Sequence, residues 1–277
     1  MVTILDGPLG TELNRRGVST DLPLWSAGAI ESDPETVEAI HREYADAGAT
    51  IHTANTFRTK RRTLGDPWER FACGAVRLAK NSVPADHRIA GSIAPLEDCY
   101  RPDLSPGKAS FDEHQELAEV LAEAGADILL CETFPHAEEA IAAVDAATGT
   151  GLETWLALTA GPDANLMSPM QMAEMAKRSV DHGAMAVLVN CTPAVDTLPY
   201  VIALAGANLS VPIGAYANAG HADDEIGWSA SPEPGASAYA DLAAQWIAAG
   251  ATLIGSCCGT TPKHVRALAN RFGNRST

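Results

Sequence analysis

The sequence predicts a (β/α)8 barrel, and three observations carry that prediction. A phrase recurs in which a helix-like segment closes on Ala-Gly-Ala or a close variant and an apolar run follows at once, at Ala47-Gly48-Ala49, Ala124-Gly125-Ala126, His182-Gly183-Ala184 and Ala249-Gly250-Ala251. Glycine in that place caps a helix, and the run behind it reads as a buried parallel strand. Filling the gaps between these copies gives strand and helix patterns that alternate eight times. Finally, 277 residues with short connections and one hydrophobic rhythm suit a single barrel domain over residues 1–277 better than two domains.

In order, strands are expected near Val2 to Leu5, Thr50 to Thr53, Arg88 to Ser92, Asp127 to Cys131, Glu153 to Leu158, Ala186 to Asn190, Pro212 to Ala215 and Thr252 to Gly255. Helical patterns cover Pro34 to Ala47, Trp68 to Ser82, Phe111 to Ala124, Ala137 to Ala147, Pro169 to Asp181, Val195 to Ala205, Ser237 to Ala249 and Pro262 to Arg271. Asp33-Pro34, Ser168-Pro169 and Thr261-Pro262 each place a capping side chain before a proline at the first helical position. An open doubly wound sheet is the alternative, but no Gly-rich phosphate loop follows the first strand. In Asp6-Gly7-Pro8-Leu9-Gly10 the proline removes an amide that a phosphate needs. Two connections are longer than a simple strand-to-helix turn requires, Gly10 to Asp33, which carries Trp25, and Asn218 to Pro234. Long loops on the catalytic face usually cover a substrate.

Composition narrows the function. A net charge of −16 argues against nucleic-acid and anionic-membrane partners, which demand a basic patch, and leaves small-molecule substrates. Lys60-Arg61-Arg62 is the only basic cluster and reads as a solvated turn. The start of the chain has the pattern of a strand broken by Asp6, not of an export signal, and no apolar run reaches membrane-spanning length. Six cysteines in a chain of this size do not make a secreted disulfide framework, so the expectation is a cytoplasmic protein using its thiols for metal or redox chemistry.

Side chains at the C-terminal ends of barrel strands meet around the mouth. Those ends carry Asp6, Asn55, Glu132, Asn190 with Cys191, Asn218, and Cys257 with Cys258. Neighbouring residues on a regular strand face opposite ways, so Cys257 and Cys258 converge only where the backbone departs from strand geometry, a departure expected at Gly255 and Gly259. Vicinal thiols also serve as small buried hydrophobes. Cys191, two strands away on the same face, favours three thiols facing one point, and three soft anionic ligands with an open fourth position describe a catalytic zinc site. Cys73, Cys99 and Cys131 lack that context. Asn55 and Asn218 either meet a ligand or tie loops by hydrogen bonds. The histidines are scattered, and none pairs with a thiol.

At these residues the sequence resembles the homocysteine S-methyltransferase family. The motifs are Leu5-Asp6-Gly7, Ala54-Asn55-Thr56-Phe57, Glu132-Thr133-Phe134, Asn190-Cys191, Asn218-Ala219-Gly220 and Cys257-Cys258-Gly259, in order along nearly the whole chain. The resemblance implies a (β/α)8 barrel in which Cys191, Cys257 and Cys258 bind zinc, while Glu132, with Asp6, holds the amino group of homocysteine. Leu24-Trp25-Ser26-Ala27 looks most like the branch that uses S-methylmethionine, and Trp25 either faces a sulfonium donor through a cation–π contact or plugs the barrel rim as a loop aromatic. Ser256 stands where the family usually has a second glycine, and Gly91-Ser92-Ile93-Ala94-Pro95-Leu96 differs from the commoner Gly-Pro-Tyr-Gly; strain is expected at Ser256. Three readings stay open: a zinc methyltransferase using a sulfonium or another donor, such as betaine or a partner corrinoid protein; a zinc or thiol-binding barrel with altered catalysis; and a metal-free enzyme using Asp6 and Glu132 as an acid/base pair.

Overall fold

The computed structural model describes residues 1–220 and 232–273. Eight strands run in order: β1 (Thr3–Ile4), β2 (Ile51–Thr53), β3 (Arg88–Ile93), β4 (Ile128–Phe134), β5 (Glu153–Leu158), β6 (Ala186–Pro193), β7 (Ile213–Asn218) and β8 (Leu253–Ser256). All pairings are parallel, in the order β1-β8-β7-β6-β5-β4-β3-β2. A parallel bridge between Leu5 and Ile51 joins the two ends of that series. The sheet is a nearly closed (β/α)8 barrel, not an open doubly wound sheet.

The local signals act as their chemistry dictates. Gly48, Gly125, Gly183 and Gly250 take φ of 105°, 91°, 98° and 115°, the left-handed geometry that ends a helix just before a strand. Asp33 accepts from the Thr36 amide, and Ser168 and Thr261 form capping boxes with Gln171 and His264. Helices Pro34–Ala47, Trp68–Ser82 and Pro169–Asp181 run between the expected limits. Alternate strand residues divide the core in two. Leu5, Ile51, Ala90, Ile128, Leu130, Trp155, Ala157, Leu188 and Tyr216 fill the barrel, and a larger cluster lies between sheet and helices.

Three readings of the sequence need correction. The Gly10 to Asp33 connection is mostly ordered: helix Leu9–Arg15 opens it, with Glu12 paired to Arg15 and Arg16, and a 3-10 turn covers Trp25–Gly28. Lys60 is not solvated. It is 3% exposed and donates to the Pro95 carbonyl, whereas Arg61 and Arg62 reach outward to Glu116 and Glu113. Burial, followed by the field of Arg58, lowers the Lys60 pKa to about 7. The third concerns β4 and β6, which run past Cys131 and Asn190 with shifts of register between Cys131 and Phe134 and between Asn190 and Pro193. Residues 221–231 of the expected seventh loop lie outside the described residues. Among those described, no helix is long and apolar enough to cross a membrane.

Gly255 serves packing rather than backbone freedom. A Cβ there would lie 2.8 Å from the Leu5 Cβ and 3.2 Å from the Tyr216 Cβ. Overpacking of this kind costs about 1–3 kcal/mol. Gly255→Ala is expected to lower the denaturation midpoint accordingly; an unchanged midpoint would show that β8 shifts freely.

Candidate metal centre and substrate cavity

The two register shifts turn side chains into the mouth. A bulge places an extra residue in one strand and re-aims what it carries. Thr133 in β4 and Cys191 in β6 both take left-handed φ, 65° and 49°. Such conformations cost of order 1–3 kcal/mol for a residue with a Cβ and persist only when surrounding contacts impose them. Asn190 holds Thr133: its Oδ1 accepts from the Thr133 amide at 3.2 Å and its Nδ2 donates to Thr133 Oγ1 at 2.8 Å. Asn218 Nδ2 holds the Cys191 carbonyl at 3.1 Å. The strain expected at Ser256 is therefore found across the mouth, on Cys191. Ser256 continues β8, with its Oγ accepting from Thr260 at 2.9 Å.

Beyond Ser256, Gly259 turns with φ 80°, which lets the chain fold back over the mouth. Its amide donates to Thr11 Oγ1 at 3.3 Å. On helix Pro232–Ala248, the Tyr239 hydroxyl lies 3.0 Å from the carbonyls of both Ala217 and Gly255, which share its one proton, and so ties β7 to β8.

Cys191, Cys257 and Cys258 meet as the sequence predicts, with sulfurs within 4.8 Å of one another. The Cys191–Cys257 separation is 2.9 Å and the Cys257–Cys258 separation 4.0 Å. Tetrahedral thiolates holding an ion at about 2.3 Å stand about 3.8 Å apart, so the triad fits a metal once Cys191 and Cys257 part slightly. Hydrogen bonds from Cys191 and then Cys257 hold the Cys258 thiol well below its usual pKa. Contact with Cys191, then Cys258, pushes Cys257 up. Thiols packed this closely shift one another's titration, and a metal held here would displace the protons they carry.

These sulfurs face a cavity of about 370 Å³ whose lining includes Asp6, Trp25, Asn55, Phe57, Cys99, Tyr100, Glu132 and Tyr216. Among the described residues no histidine lines it. Glu132 is 8% exposed; Ser92 Oγ donates to one of its oxygens at 2.5 Å and Tyr216 OH to the other at 2.9 Å. Burial pushes its pKa up to about 7, against the two hydrogen bonds. Asp6 accepts from the Thr53 amide at 2.8 Å, and burial, with Glu132 as a like-charged neighbour, raises its pKa well above the usual range. Behind Asp6, burial lowers His41 to about 4 and His52 to about 3, so both rings are neutral.

Of the other expected site residues, Trp25 lines the cavity with φ 48° and meets Phe57 edge to face at 5.7 Å. Asn55 spends its side chain on Ser26, accepting from the hydroxyl at 2.6 Å and donating to the carbonyl at 2.8 Å, so it fastens the Trp25 segment to β2. Asn218 supports Cys191 and is outside the lining. Cys131 is buried among core side chains and Cys73 is exposed on a helix, whereas Cys99, which the sequence groups with them, lines the cavity. Sequence reasoning also misses Ser92 and Tyr216. Both sit at strand ends, where the rule that finds Glu132 would find them.

Comparison with known proteins agrees with this geometry. The family model described as homocysteine S-methyltransferase matches residues 3–272. The homocysteine S-methyltransferase of Escherichia coli K12 is 29% identical, over 98% of this chain and 95% of its own. The selenocysteine Se-methyltransferase of Brassica oleracea var. italica is 28% identical, over 98% of this chain and 89% of its own. Among solved structures, the metallated form of the Escherichia coli homocysteine methyltransferase MmuM superimposes with a TM-score of 0.81 at 25% identity, covering 98% of this chain and 96% of that one. The chain belongs to the homocysteine S-methyltransferase family and is a methyltransferase.

Proposed function

We infer that the protein acts as one barrel domain in the cytoplasm, moving a methyl group from a sulfonium donor of the S-methylmethionine type to the sulfur of homocysteine, with zinc as its cofactor. The observation that carries this reading is the convergence of Cys191, Cys257 and Cys258 on one side of a cavity that also holds the buried carboxylate of Glu132.

When bound, zinc supplies the Lewis acidity that removes the proton from a coordinated thiol and leaves the sulfur nucleophilic at neutral pH. Cys191, Cys257 and Cys258 would hold the ion, and their combined negative charge would favour a cationic donor. Glu132 binds the homocysteine ammonium, with Asp6 adding to the same acidic side. Ser92 and Tyr216 fix the carboxylate so that the amino acid enters in one orientation. Trp25 turns its ring toward the donor's positive sulfur. A sulfonium leaves as a neutral thioether and needs no general acid, which accords with a lining free of histidine among the described residues.

This reading fixes the outcome of two experiments. In a screen of S-methylmethionine, S-adenosylmethionine, betaine and dimethylsulfoniopropionate with homocysteine, S-methylmethionine is expected to give the most methionine; a clear preference for betaine would refute the donor assignment. Trp25→Ala is expected to raise the donor KM about tenfold, the scale of a partly desolvated cation–π contact. The homocysteine KM is expected to change little, and equal rises in both would show that Trp25 merely supports the cavity.

A further inference from the structure

A second group of ligating side chains lies apart from the cysteines, in the wall of the barrel. Asp6 follows β1, His52 lies in β2, and His41 projects from helix Pro34–Ala47, which packs outside those strands. Because Ile51 points into the barrel, the next residue, His52, points outward to the helix layer. Each of the three side chains offers one ligating atom, and these atoms lie within 4.8 Å of one another. His41 and His52 are 0% exposed and Asp6 5%.

Hydrogen bonding within this cluster is incomplete. Among the described residues, neither ring nitrogen of His41 has a hydrogen-bond partner, and neither does Nδ1 of His52. A buried polar atom left alone costs about 1–3 kcal/mol, and native structures keep few of them. One ion takes one nitrogen from each ring, so a cation bound beside the buried carboxylate would satisfy two of these three nitrogens.

We propose that Asp6, His41 and His52 form a cation site, distinct from the three cysteines, that takes a first-row divalent ion such as Zn2+ or Co2+. Two imidazoles and a carboxylate are a donor set such ions accept, whereas Mg2+ and Ca2+ prefer oxygen alone. His52 Nε2 is already engaged by His87 Nδ1 at 3.0 Å, leaving Nδ1 as the free nitrogen. An outer partner of this kind fixes the orientation of a ligating imidazole. Bonds of about 2.1 Å set ligand atoms about 3.0–3.4 Å apart, a spacing inside the 4.8 Å within which these atoms lie. Entry is through the substrate cavity, since Asp6 lines it. Filling the site sets positive charge beside the position assigned to the homocysteine ammonium, so a loaded site weakens homocysteine binding. That consequence rests on the proposed substrate, whereas the site itself does not.

The test removes the thiol centre and asks what remains. In a protein carrying Cys191→Ser, Cys257→Ser and Cys258→Ser together, equilibrium dialysis against Co2+ is expected to find about one ion per chain. Its visible bands should be weak, without thiolate-to-cobalt charge transfer. Adding His41→Leu or His52→Leu to that background is expected to weaken Co2+ binding at least tenfold. His41→Leu replaces a buried ring without a partner among the described residues, whereas His52→Leu also removes the partner of His87 Nδ1. Wild-type protein serves as the second measurement: it should take up about two Co2+, only one of them with a thiolate spectrum. Saturation of the wild type at one thiolate-bound ion, or no uptake by the triple variant, overturns the proposal and leaves methyl transfer untouched. Failure of the functional reading is separate, appearing as absence of methionine whatever the metal count.

Discussion

Cys258→Ser is expected to empty the metal centre and abolish methyl transfer. A hydroxyl at that position is a hard, protonated donor in place of the sulfur held most readily as thiolate. Two remaining thiols leave an incomplete set for a structural or catalytic ion. Losing an outer partner of a ligand already costs about 10–100-fold, so losing the ligand is expected to reduce kcat/KM by more than about a hundredfold, with metal falling from about one ion per chain to a small fraction at the thiol centre. Cys73→Ser, at an exposed helical cysteine, is the control and should leave both values where they were. A Cys258→Ser protein that keeps a stoichiometric thiolate-bound ion would remove Cys258 from the ligand set.

Glu132→Gln should separate stability from function. The Glu132 carboxyl is raised from an ordinary value of 4.5 to about 7 by burial. Its neutral form is therefore favoured in the folded chain. The associated stability is fully present below pH about 4.5 and is lost as pH rises through about 7, amounting to about 3 kcal/mol at about 1.4 kcal/mol per unit. Gln cannot ionise, so the substrate-free variant is expected to gain on wild type as pH rises from 5 to 8, melting several degrees above it at pH 8. Activity should move the other way. An ammonium buried without its carboxylate costs about 3–5 kcal/mol, or roughly 10²–10⁴-fold in kcat/KM for homocysteine. In the wild type the same kcat/KM should rise with pH through about 7 as Glu132 ionises. A variant with normal homocysteine kinetics would take Glu132 out of substrate binding.

Much of the barrel was legible because its signals are local. A glycine between alanines at a helix end, or Ser-Pro at a helix start, needs no distant partner to act, and Gly48, Gly183, Ser168 and Thr261 behave as their types dictate. The three cysteines were legible by topology, since strand ends of a barrel share one face. The bulges were not: the sharp turn at Thr133 is held by Asn190 reaching across from β6, 57 positions away, and Cys191 by the Asn218 side chain, 27 positions away. Lys60 defeats a local reading for a similar reason. Its burial depends on the Pro95 carbonyl, which no local pattern announces. Asn55 carries two readings from its residue type alone, and only the position of Ser26 shows that its amide is committed to the Trp25 segment.

Methyl transfer to the sulfur of homocysteine, at a metal held by three cysteines, is open to a labelling measurement. Homocysteine deuterated along its carbon chain is supplied together with unlabelled S-methylmethionine, and deuterated methionine is followed by mass spectrometry in metal-loaded, chelator-stripped and zinc-restored protein. The expected result is deuterated methionine equal in amount to the S-methylmethionine consumed, its loss on stripping and its return with zinc. Undiminished deuterated methionine from protein stripped of all metal would contradict a metal-dependent transfer.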